Sequence, residues 1–217
     1  HLPTRRQRQM CIRDSVQIGR LLDALDEREI TDNTIVIFTS DNGPTDWPRY
    51  YKEGFAPPGY TGPFFGRKWC LYEGGIRMPF IIRWPAKVEA GKTDGTSIVA
   101  ALDLFPSLLS MTGTRPPAGW DLDGEDMSGA LTGRVQERPS PVFWEYGGNP
   151  GILRPGNPDF ESPTNAMRDG DWKLLTNDDG SGTQLFNLAE DPGESNDLTA
   201  LHPERVREMK RCLLYTS

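Results

Sequence analysis

The hydrophobic pattern of this chain predicts helices and strands in alternation. Apolar residues at helical spacing predict a first amphipathic helix: Val16, Leu21, Leu22 and Leu25. Short apolar runs at 35–38 and 80–82 predict two strands, and the segment from Ile98 to Met111 predicts another helix, which Gly113 closes. The order helix, strand, loop, strand, helix indicates an α/β fold.

From about residue 139 the pattern changes to short strands separated by turn residues. These strands are predicted at 142–146, 166–168, 172–175 and 184–188. Asp169-Gly170 predicts a tight hairpin, and Pro203 begins an amphipathic helix that runs to about Lys210. The chain is therefore expected to have two regions, a mixed one over 16–138 and a β-rich one over 139–211.

A carboxylate and a carboxamide directly follow the first predicted strand. The four apolar residues at 35–38 fit a strand covered on both faces, as in a parallel sheet. Asp41 and Asn42 follow this strand, and Gly43 lets the backbone turn away. Ligands of α/β sheets bind just past the carboxyl ends of buried strands, and oxygen ligands suit calcium or magnesium. The pair is therefore a candidate metal site, with an ordinary Asp-Asn-Gly turn as the alternative.

A second motif makes the pattern more specific. Residues 66–79 read Gly-x-Lys-x-x-x-Tyr-Glu-Gly-Gly-x-Arg-x-Pro, and an apolar strand with Trp-Pro follows. Together with Ser-Asp-Asn-Gly at 40–43, this order and spacing resembles the second half of the sulfatase catalytic domain, of the arylsulfatase-like, formylglycine-dependent type. The resemblance continues through four further segments: 103–109, 123–124, 168–175 and 191–194.

The resemblance implies the alkaline-phosphatase-like sulfatase fold: a partial core sheet with helices, then a small C-terminal antiparallel sheet and a terminal helix. Residues 16–138 would be the C-terminal half of the catalytic domain, and 139–211 the β-rich subdomain. Similar enzymes are roughly twice as long, so the N-terminal half is expected to be missing. Residues 1–15 and 212–217 do not continue the neighbouring patterns and are expected to be non-native read-through.

The resemblance also assigns roles to three residues. Asp41 and Asn42 match the family's two C-terminal calcium ligands, and Lys68 matches the lysine that contacts the substrate sulfate. A flexible ammonium can follow sulfate oxygens as they gain charge, and a nearby divalent cation would polarise the same group. The alternative for Lys68 is a solvated loop lysine. The glycines and charged pair within residues 73–77 are expected to be architectural, through positive φ or close backbone approach.

The nucleophile that the resemblance calls for is not in the sequence. Sulfatases of this type oxidise the cysteine of a Cys-x-Pro/Ser-x-Arg motif to formylglycine, and Cys11, Cys70 and Cys212 all lack that context. The two early aspartates of the calcium site are also missing, and neither His1 nor His202 matches a family histidine. The parent is therefore expected to be a calcium-dependent sulfuric ester hydrolase, and this fragment is expected to be inactive.

The expected substrate is a sulfated small molecule or glycan. The alternatives are a phosphoester or phosphonate hydrolase of the same superfamily and a non-catalytic sulfate- or carbohydrate-binding derivative. Neither nucleic acid nor membrane is an expected partner, because the net charge is −7 and no apolar stretch is long enough for a bilayer. The family leads us to expect a periplasmic or secreted parent, with its signal peptide in the missing half; the sequence does not indicate an oligomeric state.

Overall fold

The computed structural model describes the backbone of residues 5–46, 59–147 and 154–215, and the side chains within them from 14 to 213. The α-helices are α1 (Arg5–Glu27), α2 (Glu73–Ile76), α3 (Leu104–Thr112), α4 (Ser128–Leu131) and α5 (Pro203–Tyr215). The strands are β1 (Val36–Thr39), β2 (Phe80–Arg83), β3 (Val142–Glu145), β4 (Asn165–Asp169), β5 (Trp172–Thr176) and β6 (Gln184–Asn187). Short 3₁₀ turns occupy Thr31–Asn33, Ala101–Asp103 and Pro158–Phe160.

The chain separates into two compact units. The first comprises the chain up to Phe38, Phe80–Val99 and Asp103–Glu137, and the second comprises Thr39–Pro79, Ala100–Leu102 and the chain from Arg138 onward. The sequence placed residues 39–79 in its first region, whereas in the structure this segment belongs to the second unit. All three candidate site residues therefore lie in the second unit.

The first unit has a small apolar core. Trp84, Met111 and Leu131 are buried, and six partly buried side chains pack against them: Ile35, Ile82, Val88, Val99, Leu104 and Leu108. Within the described ranges, no helix combines the length and the apolar character that crossing a bilayer requires.

Helix α3 begins later than the sequence predicted. Gly113 closes it with a φ of +69°, as expected, but the helix begins at Leu104 and not at Ile98. The preceding Ala101–Asp103 is a 3₁₀ turn, and the buried carboxylate of Asp103 accepts the N–H of Glu125 at 2.8 Å. That hydrogen bond fixes the start of α3 from outside the helix.

Strand β1 lies where the sequence predicted it but is less buried than expected. Its described neighbour is β2, and the Phe38 side chain is 47 % exposed. A strand is buried on both faces only when layers cover both sides of its sheet. The expectation of a fully buried strand is therefore wrong for the described part of this chain.

The second unit is built on a four-stranded antiparallel sheet in the order β3-β4-β5-β6, which confirms the expected C-terminal sheet. Asp169 pairs with Trp172 across the predicted tight hairpin, where Gly170 has a φ of +55°. Successive residues of each strand point to opposite faces, so β4, β5 and β6 contribute to two separate cores.

The two faces of this sheet are covered by different elements. One face packs on α5 through six buried residues: Met167, Leu174, Leu185, Val206, Met209 and Leu213. The other face packs on residues 65–77, here called the motif loop, through a second set: Ala166, Leu175, Phe186, Leu188, Cys70, Leu71 and Tyr72. The sheet thus supports the motif loop from one side.

Helix α5 extends further than the predicted end at Lys210. It runs to Tyr215, and Leu213 is 6 % exposed against the sheet. The helix therefore enters the segment 212–217, whose non-native origin stays a prediction. Helix α1 likewise begins at Arg5, inside the segment 1–15.

Candidate active site

Asp41 and Asn42 lie in the turn that follows β1. The Asp41 side chain is exposed, and none of the described residues forms an ion pair with it. The Asn42 side-chain amide donates to the carbonyl oxygen of Gly43 at 3.1 Å, which leaves its Oδ1 as an acceptor. Ser40 Oγ donates to the carbonyl oxygen of Asn42 at 3.1 Å and stabilises the turn. The turn thus presents two side chains, those of Asp41 and Asn42, whose oxygen atoms could ligate a metal ion.

Two backbone hydrogen bonds join this turn to the motif loop. The Gly43 N–H donates to the Gly75 carbonyl oxygen at 2.9 Å, and the Lys68 N–H donates to the Pro44 carbonyl oxygen at 3.1 Å. The structure thereby brings the segment that carries the predicted metal ligands together with the segment that carries the predicted sulfate lysine. We call this meeting point the junction.

The junction depends on glycines that have no room for a side chain. A Cβ atom on Gly43 would lie 1.9 Å from the Gly74 carbonyl oxygen. A Cβ on Gly74 would lie 2.3 Å from the Gly66 carbonyl oxygen, and one on Gly75 would lie 2.3 Å from that of Cys70. Close backbone approach, rather than positive φ, therefore explains Gly74 and Gly75.

Lys68 is half-buried beside a residue in an unusual conformation. Its Nζ lies 5.3 Å from the centroid of the Trp69 ring, within range of a cation–π contact. Trp69 has a φ of +72°, a conformation that costs a bulky residue on the order of 1–3 kcal/mol. Such strain persists where the surroundings hold it, so the geometry next to Lys68 is imposed by the fold.

A buried cluster of charges lies between the motif loop and the sheet, and the sequence did not predict it. Lys173 on β5 is 0 % exposed, and its Nζ lies 2.9 Å from Glu73 Oε1 and 2.8 Å from Glu194 Oε1. Glu194 Oε2 accepts the N–H of Glu73 at 2.6 Å. One lysine therefore ties two carboxylates, and Glu73 is the first residue of α2. We call these three residues the ion cluster.

Two arginines lie near one carboxylate of the ion cluster, and the pKa values of the two carboxylates shift in opposite directions. Arg77 and Arg168 approach Glu73 Oε2 at 3.5 and 3.7 Å. Burial on its own would raise the pKa of Glu73, but Lys173 and these arginines more than offset burial and lower the pKa. Burial raises the pKa of Glu194, and the attraction of Lys173 does not outweigh it. Glu73 is thus the carboxylate held most firmly ionised.

The sequence contained a weak signal for this cluster. Lys173 interrupts an apolar strand at an inward-facing position, and a lysine there needs a buried partner. The expected architectural role of the charged pair in residues 73–77 agrees with the Glu73–Arg77 contact. The partners Lys173 and Glu194 come from distant parts of the chain, so a local pattern could not identify them.

Cys70 has the environment of a structural thiol. It is 3 % exposed, and burial raises its pKa to about 11. Its Sγ accepts the N–H of Arg67 at 3.3 Å and donates to the Arg67 carbonyl oxygen at 3.0 Å. A thiol that is neutral and already hydrogen-bonded does not act as a nucleophile near neutral pH.

The donor set at the junction fits part of a calcium site. Asp41 and Asn42 offer the oxygen atoms that calcium prefers, but calcium takes about six to eight of them. Among the described residues, no group of three or more histidine, cysteine or acidic side chains could hold a metal ion. The two residues can therefore fill only part of a calcium coordination shell.

Comparison with known proteins follows the same pattern. The Sulfatase family model matches residues 15–114. An N-acetylgalactosamine-6-O-sulfatase of Bacteroides thetaiotaomicron is 33 % identical over 199 residues, which are 90 % of this chain and 39 % of that protein. An N-acetylgalactosamine-6-sulfatase of Sus scrofa is 34 % identical over 215 residues, 91 % of this chain and 40 % of that protein. The chain thus spans about two fifths of the length of these curated relatives.

Solved structures give the same picture for the fold. A 6S-sulf protein linked to glycosaminoglycan metabolism in Bacteroides thetaiotaomicron matches with a TM-score of 0.69 at 29 % identity. The match covers 92 % of this chain and 42 % of that one. A phosphonate monoester hydrolase of Agrobacterium radiobacter matches with a TM-score of 0.61 at 25 % identity, covering 92 % and 38 %. The chain has part of the alkaline-phosphatase-like sulfatase fold. The sequence matches support the sulfatase family for this protein.

Proposed function

We propose that this chain is part of a sulfatase that hydrolyses sulfate esters. Asp41 and Asn42 hold a calcium ion in the complete enzyme, and Lys68 contacts the sulfate group of the substrate. The observation that carries the proposal is the junction, where the Gly43–Gly75 and Lys68–Pro44 hydrogen bonds join the two segments. A turn and a loop with unrelated roles would not need this joint geometry.

The proposed chemistry of Lys68 is electrostatic. Negative charge builds on the sulfate group and on the leaving oxygen during ester cleavage, and a positioned ammonium stabilises that charge more in the transition state than in the ground state. A calcium ion, when bound, would polarise a sulfate oxygen. The Asp41 carboxylate and the Asn42 carboxamide would orient that ion by supplying two of its ligands.

The proposed nucleophile is a formylglycine that lies outside the present sequence. Cys70 does not replace it, because it is buried, has a raised pKa and lacks the required Cys-x-Pro/Ser-x-Arg context. The 217-residue chain would therefore contact the sulfate group through Lys68 but would lack the nucleophile that attacks it.

The proposed substrate is a sulfated glycan. Both curated relatives described above are named for N-acetylgalactosamine 6-sulfate, and they match about nine tenths of this chain. An N-acetylgalactosamine 6-sulfate is therefore the first compound to assay. Phosphonate monoester hydrolysis is the second candidate, because the Agrobacterium radiobacter enzyme shares the fold at 25 % identity.

One assay separates these functions. The complete protein that carries this sequence, with its formylglycine installed, is given N-acetylgalactosamine 6-sulfate and a phosphonate monoester, and kcat/KM is measured for each. A sulfatase shows a kcat/KM at least 100-fold higher for the sulfate ester. The reverse preference would establish the phosphonate reading, and binding of the sulfated sugar without release of sulfate would establish a non-catalytic derivative.

A further inference from the structure

We infer that Lys173 is a positioning residue for this site. Through Glu73 and Glu194, its ammonium fixes the motif loop in register with the turn that carries Asp41 and Asn42. The effect of Lys173 on catalysis rests on the proposed function, whereas its effect on the position of the motif loop does not. A chain of contacts leads from the sheet to the junction.

The first link is the position of Lys173 in the sheet. β5 is an inner strand, hydrogen-bonded to β4 and β6, and Lys173 pairs with Arg168 on one side and Phe186 on the other. Sheet neighbours on both sides hold the backbone of Lys173, and complete burial holds its side chain. The ammonium is therefore presented at a fixed point on the face that supports the motif loop.

The second link runs from the ammonium to α2. Lys173 Nζ contacts Glu73 Oε1 at 2.9 Å and Glu194 Oε1 at 2.8 Å, and Glu194 Oε2 accepts the N–H of Glu73 at 2.6 Å. Both the side chain and the backbone of Glu73 are thus held. The contacts of Lys173 with Glu73 and of the Glu73 N–H with Glu194 are charge-assisted hydrogen bonds, whereas Lys173 and Glu194 form an ion pair. Charge-assisted hydrogen bonds are short and directional, so they fix a distance that apolar packing would leave free.

The third link runs from α2 to the junction. Gly74 and Gly75 directly follow Glu73; the Gly74 N–H donates to Phe65 at 2.7 Å, and the Gly75 carbonyl oxygen accepts the Gly43 N–H at 2.9 Å. Neither glycine has a side chain with which to hold its own position. A displacement of Glu73 would therefore move the partner of Gly43 and loosen the start of the motif loop.

Energetics favour a positioning role over a merely stabilising one. Replacing a buried ion pair by well-packed apolar residues is often neutral or stabilising, so net stability is a weak reason for an ion cluster. The cluster instead selects one arrangement of α2 against the sheet. That arrangement also sets the Gly43–Gly75 and Lys68–Pro44 hydrogen bonds.

Amide hydrogen exchange on the 217-residue chain tests the inference without any enzyme activity. The Lys173→Met variant keeps an unbranched side chain, one atom shorter than that of lysine, and removes its charge. We expect exchange of the Gly43 and Lys68 amides to accelerate at least tenfold more than exchange of the Leu174 amide inside β5. The matched control is Lys210→Met, which removes a lysine bonded at 3.0 Å to Gly180 and Thr183 in the same unit. The control should leave that ratio unchanged.

A milder variant covers the case in which Lys173→Met does not fold. Glu194→Gln keeps an acceptor for the Glu73 N–H but removes the charge facing Lys173, so the same amides should accelerate by a smaller factor. Exchange that accelerates equally at Gly43, Lys68 and Leu174 in every variant that folds would overturn the inference, because it would show only a general loss of stability.

A kinetic arm in the complete enzyme separates this inference from the proposed function. If Lys173 acts through Lys68, Lys173→Met should lower kcat at least tenfold in the wild type and less than twofold in the Lys68→Ala background. Equal losses in both backgrounds would overturn the coupling. A complete enzyme that hydrolyses no sulfate ester would refute the proposed function. The exchange experiment would still show whether Lys173 holds the junction in place.

Discussion

Gly43 and Gly74 approach so closely that a Cβ atom on Gly43 would lie 1.9 Å from the Gly74 carbonyl oxygen. The contact is with backbone, so a rotamer change cannot relieve it. We predict that Gly43→Ala lowers the free energy of unfolding by about 1–3 kcal/mol, as overpacking does. Chemical denaturation followed by circular dichroism measures this. The control is Gly95→Ala, because nothing lies within 4 Å of a Cβ at Gly95; an equal loss there would contradict the account.

The ion cluster predicts a large stability effect from one lysine. Lys173→Met leaves Glu73 and Glu194 buried without their shared cation, and breaking a buried ion pair costs about 3–5 kcal/mol. The control is Lys92→Met, which removes an exposed pair with Glu89 at 3.1 Å and should cost less than about 1 kcal/mol. Similar unfolding midpoints in urea for the two variants would show that the cluster is not a buried unit.

The two carboxylates of the cluster should respond to pH in opposite directions. Burial raises the pKa of Glu194 above the ordinary 4.5, so the native state holds its proton more tightly and Glu194 costs stability as pH rises above 4.5. Glu194→Gln should therefore gain in melting temperature relative to the wild type as pH rises through that window. Constant differences across pH 4–8 would contradict the raised pKa.

Glu73 is the opposite case. Lys173 and the arginines lower its pKa below 4.5, so its contribution to stability is complete above 4.5 and is lost as pH falls through the native pKa. The deficit of Glu73→Gln relative to the wild type should therefore be largest above pH 4.5 and shrink as the solution is acidified. Thermal melts between pH 2.5 and 6 measure this, and a deficit that grows on acidification would refute it.

Local patterns predicted the C-terminal sheet and helix of the second unit well, but not that residues 39–79 belong to the same unit. The strands β3 to β6 and the start of α5 follow from short runs bounded by turn residues, and Asp169-Gly170 marks the hairpin. These elements pair with sequence neighbours, so their pattern and their environment agree. Strand β1 was located correctly but its burial was not, because burial depends on which layers cover the sheet.

The site was predicted only in part. The motif around Lys68 and the Asp41-Asn42 pair were visible as sequence, and the junction now shows how the two segments meet. Their roles toward calcium and sulfate stay predictions. The partnership of Lys173 with Glu194 could not be read from the sequence, because it depends on the tertiary packing of β5 against the motif loop.

The metal role of Asp41 predicts a calcium-dependent defect in the complete enzyme. Asp41→Ala removes a charged ligand, so calcium retention should weaken and activity should recover in part when excess calcium is added. Activity measured against calcium concentration gives the apparent Kd. An unchanged calcium dependence would remove Asp41 from the metal site.

The proposed role of Lys68 is to stabilise charge on a sulfate group during hydrolysis. The most direct measurement is the rate of inorganic sulfate release from N-acetylgalactosamine 6-sulfate by the complete enzyme and its Lys68→Ala variant, with Lys92→Ala as the exposed control. We predict that kcat falls on the order of 100- to 1,000-fold in Lys68→Ala, that added calcium does not restore it, and that Lys92→Ala matches the wild type. Sulfate release by Lys68→Ala at the wild-type rate would contradict the claim and return Lys68 to the role of a solvated loop lysine.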